Sequence, residues 1–395
     1  MDSTMSLSGT GAFDRYRVIA AGICALILTV GLARFAYTPM LPVMRAEAGL
    51  SALAGGWLAT LNYMGYIAGA LTAATISDLG RKFHLYRLGL VVAVASTAAM
   101  GLTDNVVLWA GLRFVAGLSS TAGLLLASGL VLNWLIRHGH RPELGLHFMG
   151  LGLGIAVSGL TAVAMAGHLA WDGQWLALGL LGVAFFLPAW LWLPPPAAVT
   201  LSGPAAAAEP SAPGRRWMGL MIASYFCAGF GFVISATFIV AIVEQLPLLT
   251  GKGNWVWVIL GAAAVPSCFL WDRIAAAWGA VPALMLSYGL QTVSILLPAV
   301  SGGTAAVLLS AVLYGGTFAG IVSLTLTLIG RRFPRNPAKA MARLTLSYGV
   351  AQIIAPAMAG SIAAATGSYR GALSVAAVVM VGGIGLLALL KHQTE

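Results

Sequence analysis

Charge is what this chain has least of. Of 395 residues only 8% are Asp, Glu, Lys or Arg, against 59% hydrophobic, and the mean hydropathy is +0.92. Soluble domains carry about 25% charged residues, so a soluble globule is excluded and the apolar excess belongs in a bilayer. Acidic side chains are the scarcest class, 11 against 21 Lys and Arg, and all but Glu244 fall in loops, tails or helix ends. A carrier of hydrophobic cations needs buried carboxylates, so that cargo is disfavoured. Cysteine is almost missing too. Cys24, Cys227 and Cys268 lie in apolar runs without pairing or metal-ligand spacing, which excludes a disulfide framework. The histidines form no cluster with carboxylates or thiols, so neither metal nor cofactor is expected.

What fills the chain instead is a series of long apolar stretches, at about 16–38, 52–76, 84–103, 106–136, 144–168, 174–193, 217–246, 254–271, 280–298, 303–330, 339–365 and 370–390. Each approaches or exceeds the roughly 20 residues that a helix needs to span hydrocarbon. They do not alternate in polarity as barrel strands would, so helices remain. The expected fold is all-α and polytopic, with twelve transmembrane helices in two pseudo-symmetric six-helix bundles. Residues 1–194 form the first bundle, 195–216 a Pro- and Ala-rich cytoplasmic linker, and 217–395 the second.

Basic residues such as Arg81, Lys82, Arg87, Arg141, Arg215, Arg216, Arg331, Arg332, Arg335 and Lys339 fall on the side of both termini, whereas the opposite loops hold Arg45, Lys252 and Arg370. This bias places both termini in the cytoplasm of a bacterial-type inner membrane. The formal charge of +10 is then an orientation signal, and because it is scattered over short loops, nucleic-acid binding is set aside. The polar leader and the embedded Arg34 argue against a cleaved export signal, so the first stretch is expected to stay as a helix.

The halves echo each other. Arg137 to Pro142 after the fourth span, with Gly150 and Gly154 beyond it, is matched after the tenth by Arg332 to Pro337 and Gly349. Asp78 and Asp272 each close a span, the second and the eighth. Such repeats belong to secondary transporters, in which two bundles rock about a central site.

Several segments resemble the major facilitator superfamily over essentially the whole chain. Arg113 and Gly117 match its Arg-x-x-x-Gly signature in the fourth helix. Asp78-Leu79-Gly80-Arg81-Lys82 is similar to its inner-loop signature, one residue shorter, with Asp272-Arg273 at the equivalent place in the second half. The run from Gly31 through Arg34, Tyr37 and Pro39 to Pro42, together with Gly145 to Ala156, resembles the YbfB/YjiJ-type branch. Gly150, Gly154 and Gly159 keep close to the fifth-helix antiporter signature, with Ile155 where it has proline. The resemblance implies a monomeric transporter working by alternating access.

Two embedded cations stand out. Counted from the outer helix ends, Arg34 lies roughly 12 Å and Arg113 roughly 10 Å deep. An arginine in hydrocarbon is penalised by about 2.5 kcal/mol or more, so neither should face lipid. Either both present paired donors to a carboxylate, or Arg113 braces helices through backbone carbonyls while Arg34 reaches water. Asn62, Tyr66, Tyr37, Thr237, Tyr314 and Gln352 are the uncharged polar residues placed to complete a substrate cavity. Glu244 is either an outer gate against Arg34 or Lys252, a proton carrier, or a solvated helix end. His147 is a candidate proton relay or a helix-start histidine bonded to water or backbone. Asp78 and Asp272 are candidate gating carboxylates on the inner side.

The function expected is secondary transport of a small organic anion, carboxylate in type, with proton symport as the candidate coupling. No nucleotide-binding loop, His-Glu-x-x-His or Ser/His/Asp set is present, so a gradient must drive it, and an intramembrane enzyme or a membrane scaffold is the remote reading. The nearer alternative is an exporter of neutral or amphipathic compounds walled by Phe226, Phe230, Phe238 and Trp257.

Overall fold

The computed structural model describes residues 7–140, 144–196, 214–333 and 337–392, and every regular element within them is a helix. In chain order these are α1 (Leu7 to Glu47), α2 (Ala52–Thr75), α3 (Leu79–Leu102), α4 (Val106–Arg137), α5 (Gly145–Met165), α6 (Trp171–Trp192), α7 (Arg215–Glu244), α8 (Gly253–Ala264 and Ser267–Trp278), α9 (Ala280–Val300), α10 (Thr304–Arg332), α11 (Pro337–Thr366) and α12 (Arg370–Lys391). The expected linker, and with it Arg141, Pro142 and Arg335, lies mostly outside the described residues.

Ten of these helices are long and apolar enough to cross a membrane, and α8 makes an eleventh if its two parts count as one span. The remaining helix, α2, has 24 residues, roughly 36 Å, so length is not what it lacks. Its Thr60, Asn62, Tyr63 and Tyr66 lower its hydropathy, and all four are buried against other helices rather than turned to lipid.

Two helices depart from the expected spans, both at prolines. The first was expected to stop near residue 38, but α1 continues to Glu47 through Pro39 and Pro42. A π-helical stretch, Ile27–Phe35, precedes them, and the Ala36 amide bonds to Gly31 O. The wider turn restarts the helix at Tyr37, so Pro39 falls in a first turn, where its missing N–H costs nothing. The second departure is in α8, which bends by 44° at Val265 and Pro266 and then runs on to Trp278. Asp272 therefore sits inside that second part instead of closing the span.

Helices α1 to α6 pack on one another, as do α7 to α12, and the two sets meet through α2 with α11 and α5 with α8. Small residues make both seams. A Cβ on Gly56 would stand 2.6 Å from Pro356 O, and one on Gly261 would stand 2.4 Å from Ala156 N. Thr60 also donates across the first seam to Ile353 O (2.9 Å). The glycines of α5 divide between two faces. Gly150 and Gly154 lie against α1, whereas Gly152 and Gly159 lie against α8.

Candidate functional site

The π-helical stretch of α1 carries Arg34, and it is buried throughout. Thirteen residues separate Arg34 from the end of α1, roughly 20 Å, so it lies deeper than the expected 12 Å. Its guanidinium carbon stands 4.4 Å from the Tyr63 ring centre and 4.6 Å from that of Tyr66, with Phe35 at 5.6 Å. Arg34 is 5% exposed, its Nε has no partner, and no carboxylate or carbonyl of the described residues meets its charge. Cation–π contacts supply about 0.5–2 kcal/mol, whereas an unpaired buried ion costs several. The aromatic cage alone leaves Arg34 in deficit.

Arg113 is placed differently. Its Nη1 donates to Ala33 O (2.9 Å) and its Nη2 to Arg34 O (3.2 Å), with the Tyr37 ring beneath it at 4.4 Å. Of the two roles open to it, bracing α4 against α1 is the one its hydrogen bonds perform. Asn62 donates from Nδ2 to Arg113 O (2.8 Å), and Tyr37 donates to Gly55 O (2.9 Å). Together with Thr237 these residues surround a gap of only about 10 Å³, on the order of one water. This layer is sealed between the halves where Thr38 donates to Ala236 O (2.5 Å).

On the other side of Arg34 the protein opens into a cavity of about 280 Å³. It runs between the two halves toward the face that carries both chain termini, reaching Phe148, Leu326 and Thr345. Arg34 and Tyr66 line it from the first half, and Tyr225, Phe232, Phe318, Tyr348 and Gln352 from the second. Gln352 is 2% exposed and its Oε1 has no partner, so it is a second polar group held without a protein ligand. No Asp, Glu or His lines the cavity among the described residues.

The structure thus brings Arg34, Tyr66 and Gln352 together on one cavity, and it puts Tyr37, Asn62, Arg113 and Thr237 in the sealed layer. Tyr314 belongs to neither. Its hydroxyl donates to Phe232 O and its ring stacks on Phe232 and Phe318, so it braces a cavity wall from behind.

None of the four residues singled out for proton coupling or gating lines the cavity. Glu244 accepts from the amides of Gly251 (2.6 Å) and Gly253 (2.9 Å), clasping the turn into α8 instead of gating against Arg34 or Lys252. His147 is neither solvated nor backbone-bonded through its ring. It is 1% exposed, packed against Gly22 of α1, and its Nε2 pairs with Ser128 Oγ at 2.8 Å. Asp78 caps α3 by accepting from Arg81 N (2.6 Å), and Asp272 is exposed on α8. The aromatic walls also differ from expectation. Phe226, Phe230, Phe238 and Trp257 lie elsewhere, and Tyr63, Tyr225, Phe232 and Phe318 were missed. Period alone pointed to some of them. Tyr225 and Phe232 are seven apart and Tyr348 and Gln352 four apart, each pair on one helix face.

A polytopic helical fold with a cavity between two six-helix sets is the fold of the major facilitator superfamily, and the family model that matches this chain makes it a transporter of that superfamily; neither its family nor its structural neighbours are enzymes. The chain belongs to the family described as "Uncharacterised MFS-type transporter YbfB", which matches residues 26–388. The gallate transporter of Pseudomonas putida is 29% identical over 199 residues, which is 49% of this chain and 42% of that protein, so the match spans less than half of the relative. Among solved structures, the nucleoside transporter NupG superposes with a TM-score of 0.73 at 12% identity, covering 96% of this chain and 99% of that one. The human organic anion transporter MFSD10 (TETRAN) gives 0.67 at 17% identity, covering 94% and 99%. Both structural likenesses establish the fold alone.

Proposed function

We propose that this protein is a secondary transporter of small organic anions, carboxylates joined to a flat apolar body such as an aromatic ring. The observation that carries this reading is Arg34, a buried cation with no anionic partner among the described residues, at the blind end of an aromatic-walled cavity. A guanidinium offers a carboxylate two parallel donors, and the pair removes the deficit that the tyrosine rings leave. Tyr66, Tyr225, Phe232 and Tyr348 suit a ring, and the Gln352 amide suits a polar substituent on it. The partial match to a gallate transporter supports the same class of cargo. The basic residues concentrated on the face of the termini support a bacterial-type inner membrane with both termini in the cytoplasm. In this reading the six-helix sets are two bodies that rock about the α2–α11 and α5–α8 seams, and the cavity opens inward.

Export of neutral amphiphiles keeps one observation in its favour, the apolar wall of Phe148, Phe232 and Phe318. Thermal stability of the purified protein separates the two readings. A ligand at a hundredfold excess over its Kd adds about 2.7 kcal/mol to the folded state. Aromatic carboxylates are expected to raise the melting temperature of the wild type more than aliphatic ones do, and not to raise that of Arg34→Ala, and cationic dyes to raise neither. Stabilisation by neutral or cationic compounds alone, unchanged in Arg34→Ala, contradicts the anion reading.

A further inference from the structure

We infer that the carrier turns over by obligatory exchange of one organic anion for another, and not by symport with a proton. The inference rests on the anion reading of Arg34 given above and concerns what the empty carrier can do.

Among the described residues, the groups that face Arg34 include no carboxylate or imidazole to hold a coupling proton. Tyr63 and Tyr66 come from α2 and Arg113 from α4, while Tyr225 from α7, Cys268 from α8, and Tyr348 and Gln352 from α11 line the same cavity. None of them is a carboxylate or an imidazole, the groups that commonly carry a coupling proton, and an amide does not titrate. The residues singled out for proton coupling lie away from that cavity: Glu244 is held by two backbone amides, and His147 is packed against α1 with Nε2 on Ser128 Oγ and Nδ1 without a hydrogen-bond partner. Asp78 caps a helix, and Asp272 is exposed outside the cavity.

Position supplies the second half of the argument. The seal on one side of the site begins within four residues of Arg34, where Tyr37 bonds Gly55 and Thr38 bonds Ala236. To face the opposite solution the protein must form an equivalent seal on the cavity side before this one opens. Between those states Arg34 is cut off from water on both sides. With a carboxylate bound, the occluded pair is neutral. Without one, a bare cation is enclosed in low dielectric beside Arg113, a like charge held on the neighbouring backbone. A proton cannot take the anion's place, because it adds charge of the same sign. The loaded carrier therefore crosses quickly and the empty one slowly. Net movement in one direction is then limited by the empty return, and flux requires an organic anion on both sides.

The test uses full-length protein in liposomes and, as probe, a labelled form of the carboxylate that raises the melting temperature most in the panel above. Uptake by protein-free vesicles is subtracted. Initial uptake is expected to be at least about tenfold faster into vesicles preloaded with the unlabelled carboxylate than into carboxylate-free ones, a difference of about 1.4 kcal/mol in the limiting barrier. An imposed pH gradient, or its collapse with a protonophore, is expected to leave the exchange rate unchanged. Equal rates with and without internal carboxylate overturn the inference, as does accumulation in carboxylate-free vesicles driven by an inward proton gradient. Both of those outcomes leave the anion reading intact. If no carboxylate in the panel stabilises the protein or enters the vesicles, the anion reading fails and exchange fails with it.

Discussion

Arg34 and Arg113 are two arginines of similar burial and opposite energetics. Arg113 holds two carbonyl oxygens of α1 and takes a bond from Asn62 on its own carbonyl, whereas Arg34 meets aromatic rings and makes no hydrogen bond among the described residues. Their substitutions should move the ligand-free protein in opposite directions. Arg113→Ala is expected to destabilise it by on the order of 3 kcal/mol, because charge-assisted bonds are lost at a helix contact. Arg34→Gln is expected to leave stability unchanged or raise it by about 1 kcal/mol or more, since an uncompensated buried charge disappears. Melting in detergent, without substrate, reads both. A large loss of stability in Arg34→Gln would mean that Arg34 is structural. The presence of Arg34 and Arg113 inside apolar runs was legible in the sequence, because a charge in hydrocarbon is expensive wherever it occurs. Their division of labour stood there as one of two alternatives, since the choice depends on which carbonyls of α1 turn toward α4. Glu244 was opaque for a similar reason. The amides it clasps are brought to it by a turn whose Gly251 has φ +78°, a conformation that hydropathy does not encode.

Among the elements, spans were read from length and hydropathy, both local properties, and α2 to α7 and α9 to α12 lie near their expected places. The failures were non-local. The continuation of α1 past Pro39 depends on the π-helical offset before it, and that offset also sets the direction in which Arg34 leaves the helix. The bend of α8 had a visible cause in Pro266, which the hydropathy of its flanks concealed. The seams permit a contrast between glycines. At Gly56 and Gly261 an added side chain would meet backbone from the other half, whereas Gly219 and Gly289 have open space around them. Gly56→Val and Gly261→Val are therefore expected to lower the melting temperature and to abolish transport, while Gly219→Ala and Gly289→Ala should change neither measurably. Wild-type transport by both valine variants would show that the halves do not need this close approach.

At the scale of the whole molecule, a positive centre stands between two helical sets, sealed on one side by Tyr37 and Thr38 and open on the other to a cavity of about 280 Å³. That volume is near the lower end of small-molecule sites, which suits a single-ring acid better than an extended amphiphile. The most direct measurement of the central claim is an experimental structure of the protein with a brominated aromatic carboxylate, located by the anomalous signal of its bromine. The account expects the ring among Tyr66, Tyr225 and Tyr348, with a carboxylate oxygen within about 4 Å of the Arg34 guanidinium, the span of an ion pair. Bromine found outside this cavity, or Arg34 paired with a protein oxygen while ligand is bound, would contradict it.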